Sequence, residues 1–305
     1  MKLPIDSDHA SRVMNTSIPT PTEVSRADVP SQIVICGKGR IATAALSFTV
    51  HHCATQRLPC TIATCPNSDD RGYDSWSESL ARAAALLAVP TVQMSDVEQV
   101  PDLLLISLEY DRIIPVARFK STRLYNIHFS ALPKYRGVFT SIWPLLNRES
   151  TVGVSLHVMD AGVDTGDVID QRLINIATYT TSRQLYEHYM DEGLALFRSW
   201  LPRLITSVPA ATAQDSSRAS SYNRRSLDLK RLELPLTEDG ESVCAFVRAF
   251  SFPEYQRPTL GGRAVRACAV LPATTAAAPG TELHRTAYSS AYAVGKCEVV
   301  EIIWA

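Results

Sequence analysis

The 305-residue chain has no apolar run near the roughly 18 residues that cross a bilayer, which excludes a membrane-spanning helix. Residues 1–30, MKLPIDSDHASRVMNTSIPTPTEVSRADVP, lack the apolar stretch of a secretion signal and are punctuated by prolines. Residues 1–31 are therefore expected to be a disordered leader. Charge of one sign is missing too: the formal net charge is −1, which argues against a surface built to grip a polyanion along its length. The seven cysteines never form a Cys-x-x-Cys pair, so neither a metal site nor a disulfide framework is expected, and a reducing cytoplasm is the expected location. No internal repeat appears, which excludes a solenoid.

What is present is enough apolar sequence, 46% of residues, to build a core. The β-branched run QIVICG (32–37) enters a glycine loop and then the helical stretch IATAALSFTVHH. CTIATC (60–65), an alanine-rich helix near 75–88, DLLLISLE (102–109) and RLYNIHF (123–129) continue the alternation of strand and helix. That order predicts a doubly wound α/β domain with a mostly parallel, Rossmann-like sheet. VGVSLHVM (152–159) and DVIDQRLINI (167–176) are two more strands, and Leu185, Tyr189, Leu194, Phe197, Leu201 and Leu204 form one face of a helix. The expected division is a catalytic domain at 32–206, a Ser/Ala-rich linker at 207–223, and a smaller α+β unit at 224–305. In that unit Val243, Phe246, Val247 and Phe250 share a helix face, 272–279 reads as a loop, and EVVEIIW (298–304) as a closing strand.

Two segments carry polar residues at places where this architecture binds ligands. Asn126 and His128 lie two apart on a strand, so both side chains project to one side near its carboxyl end. Taken alone the pair also fits a hydrogen-bonded structural histidine. Asp164 sits in a loop between Gly162 and Gly166 and could equally be a turn-former. Asp164-Thr-Gly is also the triplet of aspartic proteases, but those need two such carboxylates and only one triplet occurs.

Together the segments resemble the folate-dependent formyltransferases, which include methionyl-tRNA, glycinamide-ribonucleotide and sugar N-formyltransferases. The resemblance rests on Asn126-x-His128, the loop Ser130-Ala-Leu-Pro-Lys-Tyr-Arg-Gly137, Gly153-Val-Ser-Leu-His157 and Asp164-Thr-Gly-Asp-Val-Ile169, with 38 positions between Asn126 and Asp164. The sequence is most similar to the sugar enzymes. It departs from the family at Phe129, usually a small residue, and at Ala131, where leucine is common.

The resemblance implies transfer of the formyl group of N10-formyltetrahydrofolate to an amine, with no metal and with Asn126, His128 and Asp164 catalytic. The chemistry suits these residues. Negative charge develops on the formyl oxygen, and Asn126 and a charged His128 would donate to it. Asp164 would favour the imidazolium and could accept the amine proton. The resemblance also places the folate against the loop 109–115 and the segment 160–164, with Tyr110, Arg112, Ile114 and Asp160 as candidates; Ile113 and Ile114 fit plain core equally well.

The loop Gly37-Lys38-Gly39-Arg40-Ile41-Ala42 matches G-x-G-x-x-A, but no acidic residue stands where a dinucleotide site needs one. In relatives this loop faces the acceptor, so Lys38 and Arg40 are expected to meet an acceptor phosphate, with a plain tight turn as the alternative, and Lys134 and Arg136 are further expected substrate-binding residues. Residues 224–305 hold ten basic and nine acidic side chains, thin for gripping tRNA. The expected acceptor is a nucleotide-linked amino sugar, with Phe252 and Tyr255 available to stack on a base or to pack the small unit. Hydroxyornithine, methionyl-tRNA and a catalytically silent nucleotide-binding relative stay open, as does a homodimer.

Overall fold

The computed structural model describes residues 29–305, so the expected leader lies outside the described residues except for its last three positions. Strand β1 (Gln32–Gly37) leads into α1 (Gly39–Gln56), then β2 (Thr61–Pro66), α2 (Leu80–Leu86) and the single turn α3 (Met94–Val97). β3 (Leu103–Leu108) and β4 (Leu124–His128) follow. β5 (Arg136–Gly137), α4 (Trp143–Leu146), β6 (Thr151–Val158) and β7 (Val168–Asn175) precede the long α5 (Ser182–Thr206). Beyond it come β8 (Ser221–Tyr222), α6 (Gly240–Ala249), β9 (Thr259–Leu260), β10 (Arg263–Thr274), β11 (Glu282–Arg285), β12 (Ser289–Val294) and β13 (Glu298–Trp304).

The main sheet has the order β2-β1-β3-β4-β6-β7. Its first four strands are parallel, and β3 is buried along its whole length because helices cover both faces, which is why it reads as an unbroken apolar run. β6 and β7 run antiparallel to their neighbours. The short connection between them leaves no length for a crossover, so a parallel pairing there is impossible. Helix α5 begins with a capping box, Thr181 and Gln184 closing its free N–H groups, and buries Leu185, Tyr189, Phe197, Leu201 and Leu204 against the sheet. The helix expected near 75–88 starts only at Leu80, where the Ser79 hydroxyl accepts the Arg82 N–H.

The second sheet, β11-β12-β13-β10-β9, is antiparallel and packs α6 through Val243, Val247, Val265, Val300 and Ile302. Two expectations are corrected here. Cys244 on α6 and Cys268 on β10 form a disulfide; a pairing across 24 positions leaves no spacing signature. The loop expected from Pro272 begins later, because β10 runs through Pro272 to Thr274 with a register shift after Leu271 that accommodates a residue without an N–H.

The segment 207–223, expected as a linker, is bound to the main domain along its length. Thr212 exchanges two backbone hydrogen bonds of 2.8 Å with Val168, and β8 adds to β5. Tyr222 stacks on Trp143 at 4.0 Å between ring centres. Its polar composition hides this because main-chain pairing needs no apolar periodicity.

Candidate active site

Alternation along β4 turns Tyr125 and Ile127 into the core and leaves Asn126 and His128 on the other side. Asn126 faces His157 in register on β6. Its Nδ2 lies 3.1 Å from His157 Nε2 and donates to Asp164 Oδ1 at 3.2 Å. His157 Nδ1 lies 2.8 Å from the Val158 carbonyl, which needs the proton there and leaves Nε2 free to accept from Asn126. His157 also stands 3.5 Å from Asp164, but the shorter amide contact sets its tautomer. His157 belongs to the quoted Gly153–His157 motif and was not expected in the site; its register opposite Asn126 is the signal.

His128 is buried with Nε2 2.8 Å from the Tyr135 carbonyl and Nδ1 3.4 Å from Asp164 Oδ2. Both ring nitrogens face oxygens, an arrangement satisfied by the imidazolium. The adjacent Phe129 stacks on Tyr189 of α5 at 5.4 Å, so its departure from the family's small residue fills space between sheet and helix.

Asp164 has a left-handed backbone, φ 54°, and only 12% of its side chain is exposed. The Gly137 N–H donates to Oδ2 at 2.9 Å. Gly137 has φ +90°, and a Cβ there would collide with the Tyr222 carbonyl, so only glycine lets the strand from Arg136 run against β8 and aim this N–H. Burial works to raise the Asp164 pKa, but the neighbouring His128 and the Gly137 amide outweigh it and hold the carboxyl far below the usual range.

Gln214, in the segment 207–223 that straps across the main domain, closes the arrangement and was not foreseen. Its Nε2 donates to the Asp164 carbonyl at 2.9 Å and the Gly166 carbonyl at 2.7 Å, while its Oε1 accepts from Arg136 Nε and Nη2 at 3.1 and 2.7 Å. Arg136, expected to meet the acceptor, is therefore buried and holds the strap instead. Lys134 pairs with Glu149 at 2.9 Å. Arg40 is bound by Glu187 at 3.0 Å and Asp191 at 2.5 Å, so its positive charge is answered twice and a phosphate beside it would meet two carboxylates. Those partners lie on α5, too far along the chain for sequence to connect them. The Lys38 N–H donates to the Leu108 carbonyl at the sheet edge, and its ammonium lies near Glu109 and Tyr255.

The folate candidates divide between two loops. Tyr110 leans onto β2, its hydroxyl 3.3 Å from Cys65 Sγ, with Arg112 over its ring. Ile114 packs into the apolar cluster below, whereas Ile113, which fits core equally by residue type, is 78% exposed. Asp160 folds its own loop by accepting from the Gly162 N–H and the Thr165 hydroxyl. Among the described residues, none of the four hydrogen-bonds Asn126, His128 or Asp164.

Comparison with known proteins places this geometry. The formyl transferase family model matches residues 83–201. WlaRD, a sugar 3N-formyl transferase whose crystal structure was solved in the presence of dTDP and 5-N-formyl-tetrahydrofolate, is 32% identical, with 90% of this chain and 97% of that one covered and a TM-score of 0.80. An N-formyltransferase from Helicobacter canadensis, in complex with folinic acid and dTDP-3-aminofucose, is 30% identical over 90% of this chain and 100% of that one, also at 0.80. A 4-N formyltransferase from Francisella tularensis, 16% identical with a TM-score of 0.59 over 75% and 91% of the two chains, shares the fold. With its asparagine, histidine and aspartate gathered at one sheet edge and full-length relatives at this identity, the chain belongs to the formyl transferase family.

Proposed function

We propose that the protein transfers the formyl group of N10-formyltetrahydrofolate to the amine of a nucleotide-linked amino sugar. The observation that carries this reading is the meeting of Asn126, His128 and Asp164 in a chain that matches, over 90% of its length, a sugar formyltransferase solved with dTDP and a formyl-folate. The exposed apolar side chains Ile113 and Val163, on the two loops beside the site, fit a flat pterin ring, and the Lys38 ammonium fits a phosphate.

In the proposed mechanism Asn126 turns one of its two long hydrogen bonds toward the formyl oxygen, and His128 supplies positive charge beside it. A preorganised donor of this kind contributes on the order of 3 kcal/mol. Asp164 orients the imidazole ring and faces it with a negative charge. Held so far below the ordinary carboxylate range, it is a weak base, so its role is charge partner and not proton acceptor. Residues 32–206 would carry this chemistry. Residues 224–305 would frame the acceptor side, where Phe252 and Tyr255 pack against Trp76 at 5.7 and 5.0 Å between ring centres. No helix among the described residues is long and apolar enough to cross a membrane.

The test is a rate assay with N10-formyltetrahydrofolate and a panel of amines: dTDP- and UDP-linked amino sugars, hydroxyornithine and methionyl-tRNA. Tetrahydrofolate should appear with a nucleotide-linked amino sugar alone. Release with none of them, despite folate binding, would place the protein with the silent relatives.

A further inference from the structure

We infer that Glu109 binds the acceptor's ammonium group and takes its proton, an assignment that rests on the formyl-transfer reading above. An amine is a nucleophile only when neutral, so a protonated acceptor must lose a proton before it attacks. The three expected catalytic residues leave no free base. Both ring nitrogens of His128 face oxygens, and the Asp164 oxygens already receive Asn126 and Gly137.

Glu109 is the remaining carboxylate at the same edge. It directly follows β3, whose Leu108 lies opposite Gly37 on β1 and Ile127 on β4. Glu109 is the first residue beyond this last paired position, as Lys38 is beyond Gly37 and His128 is beyond Ile127 at the same edge. Its backbone there is left-handed, φ 63°, and the Asn67 side chain donates to its carbonyl at 2.9 Å, which fixes the turn. The Tyr186 side chain of α5 lies beside the carboxylate. The groups facing it are Lys38 from the β1–α1 loop, His128 from β4, Tyr186 from α5, Asp164 from the β6–β7 loop and Tyr255 from the loop after α6. Burial raises its pKa, while Lys38, Tyr186 and His128 oppose the rise. A carboxylate in this environment is a stronger base than Asp164, and it sits between the Lys38 side, where the acceptor phosphate is placed, and the imidazole.

The proton balance is complete. Glu109 takes the extra proton of the ammonium, and the neutral amine forms the new C–N bond to the formyl carbon. The carbon–N10 bond then breaks, the second amine proton ends on N10 of the departing tetrahydrofolate, and the Glu109 proton passes to water.

The experiment compares wild type, Glu109→Gln and Glu109→Asp in two readouts. In calorimetric binding, Glu109→Gln should lose about tenfold in affinity for a dTDP-amino sugar but keep that for dTDP, which carries no amine. In steady-state kinetics its kcat/KM for the acceptor should fall on the order of 100-fold. The wild-type rise in kcat/KM with pH through the Glu109 ionisation should vanish in this variant, and Glu109→Asp should restore part of the rate and the pH dependence. An unchanged pH profile with equal loss of dTDP affinity would make Glu109 a structural residue and overturn the assignment. If wild type binds the amino sugar and transfers nothing, the formyl-transfer reading fails, while the calorimetric difference still decides whether Glu109 holds the amine.

Discussion

The two sheets of this protein use their interiors differently. The second sheet buries aliphatic side chains between α6 and β10–β13 and fastens them with the Cys244–Cys268 bridge. The main sheet, at the carboxyl edge of β3 and β4, gathers ionisable and amide groups that satisfy one another: Asn126, His128, His157, Asp164, Glu109 and Gln214. Buried polar groups cost stability unless paired, so an edge this dense in them is kept for what it does to a ligand. The contrast predicts that substitutions at the edge change rate with little effect on unfolding, and that substitutions in the second sheet do the reverse.

The largest expected effect is at Asp164. Asp164→Asn should lower kcat on the order of 1,000-fold while the melting temperature moves by only a few degrees. The ionised carboxylate also adds stability that is fully present above its unfolded pKa of about 4 and is lost as pH falls toward its depressed folded value. Acid unfolding of the variant should therefore be less steep than that of wild type. A variant with ordinary turnover would erase the difference between the two sheets.

Next is Gln214→Ala, which removes both donors on the Asp164–Gly166 loop and frees Arg136. It should cost roughly 10- to 100-fold in kcat, with a smaller change in acceptor KM, as expected for a misplaced catalytic group. A pure KM effect would make the strap a substrate contact instead.

On the other side, Cys244→Ala with Cys268→Ala should destabilise the protein by about 3 kcal/mol in denaturant unfolding and leave kcat unchanged. The smallest effect belongs to Arg40→Ala. Its pairs with Glu187 and Asp191 are partly solvent-exposed, so stability should change by no more than about 1 kcal/mol and acceptor KM by less than threefold. A large rise in KM would return Arg40 to the acceptor site.

Much of this was readable from local pattern. β1, β3, β4 and β13 announce themselves by apolar runs of strand length, and α5 by the spacing from Leu185 to Leu204. Asn126, His128 and Asp164 were found because their spacing and flanking motifs are specific. What escaped depends on long-range partners. The charge of Arg40 is neutralised from α5, and Arg136 is bound by a glutamine 78 positions on. Glu109 looked like one more residue of a loop until the fold set it at the same sheet edge as His128. The disulfide joins a helix to a strand with no motif at either end.

The central claim is that Asn126, His128 and Asp164 act together on one formyl carbonyl, and rapid-quench measurement of formyl-amide formation by His128→Asn tests it most directly. With donor and a dTDP-amino sugar both saturating, the first turnover should slow on the order of 1,000-fold against wild type, with folate affinity retained. A first turnover as fast as wild type would contradict the account.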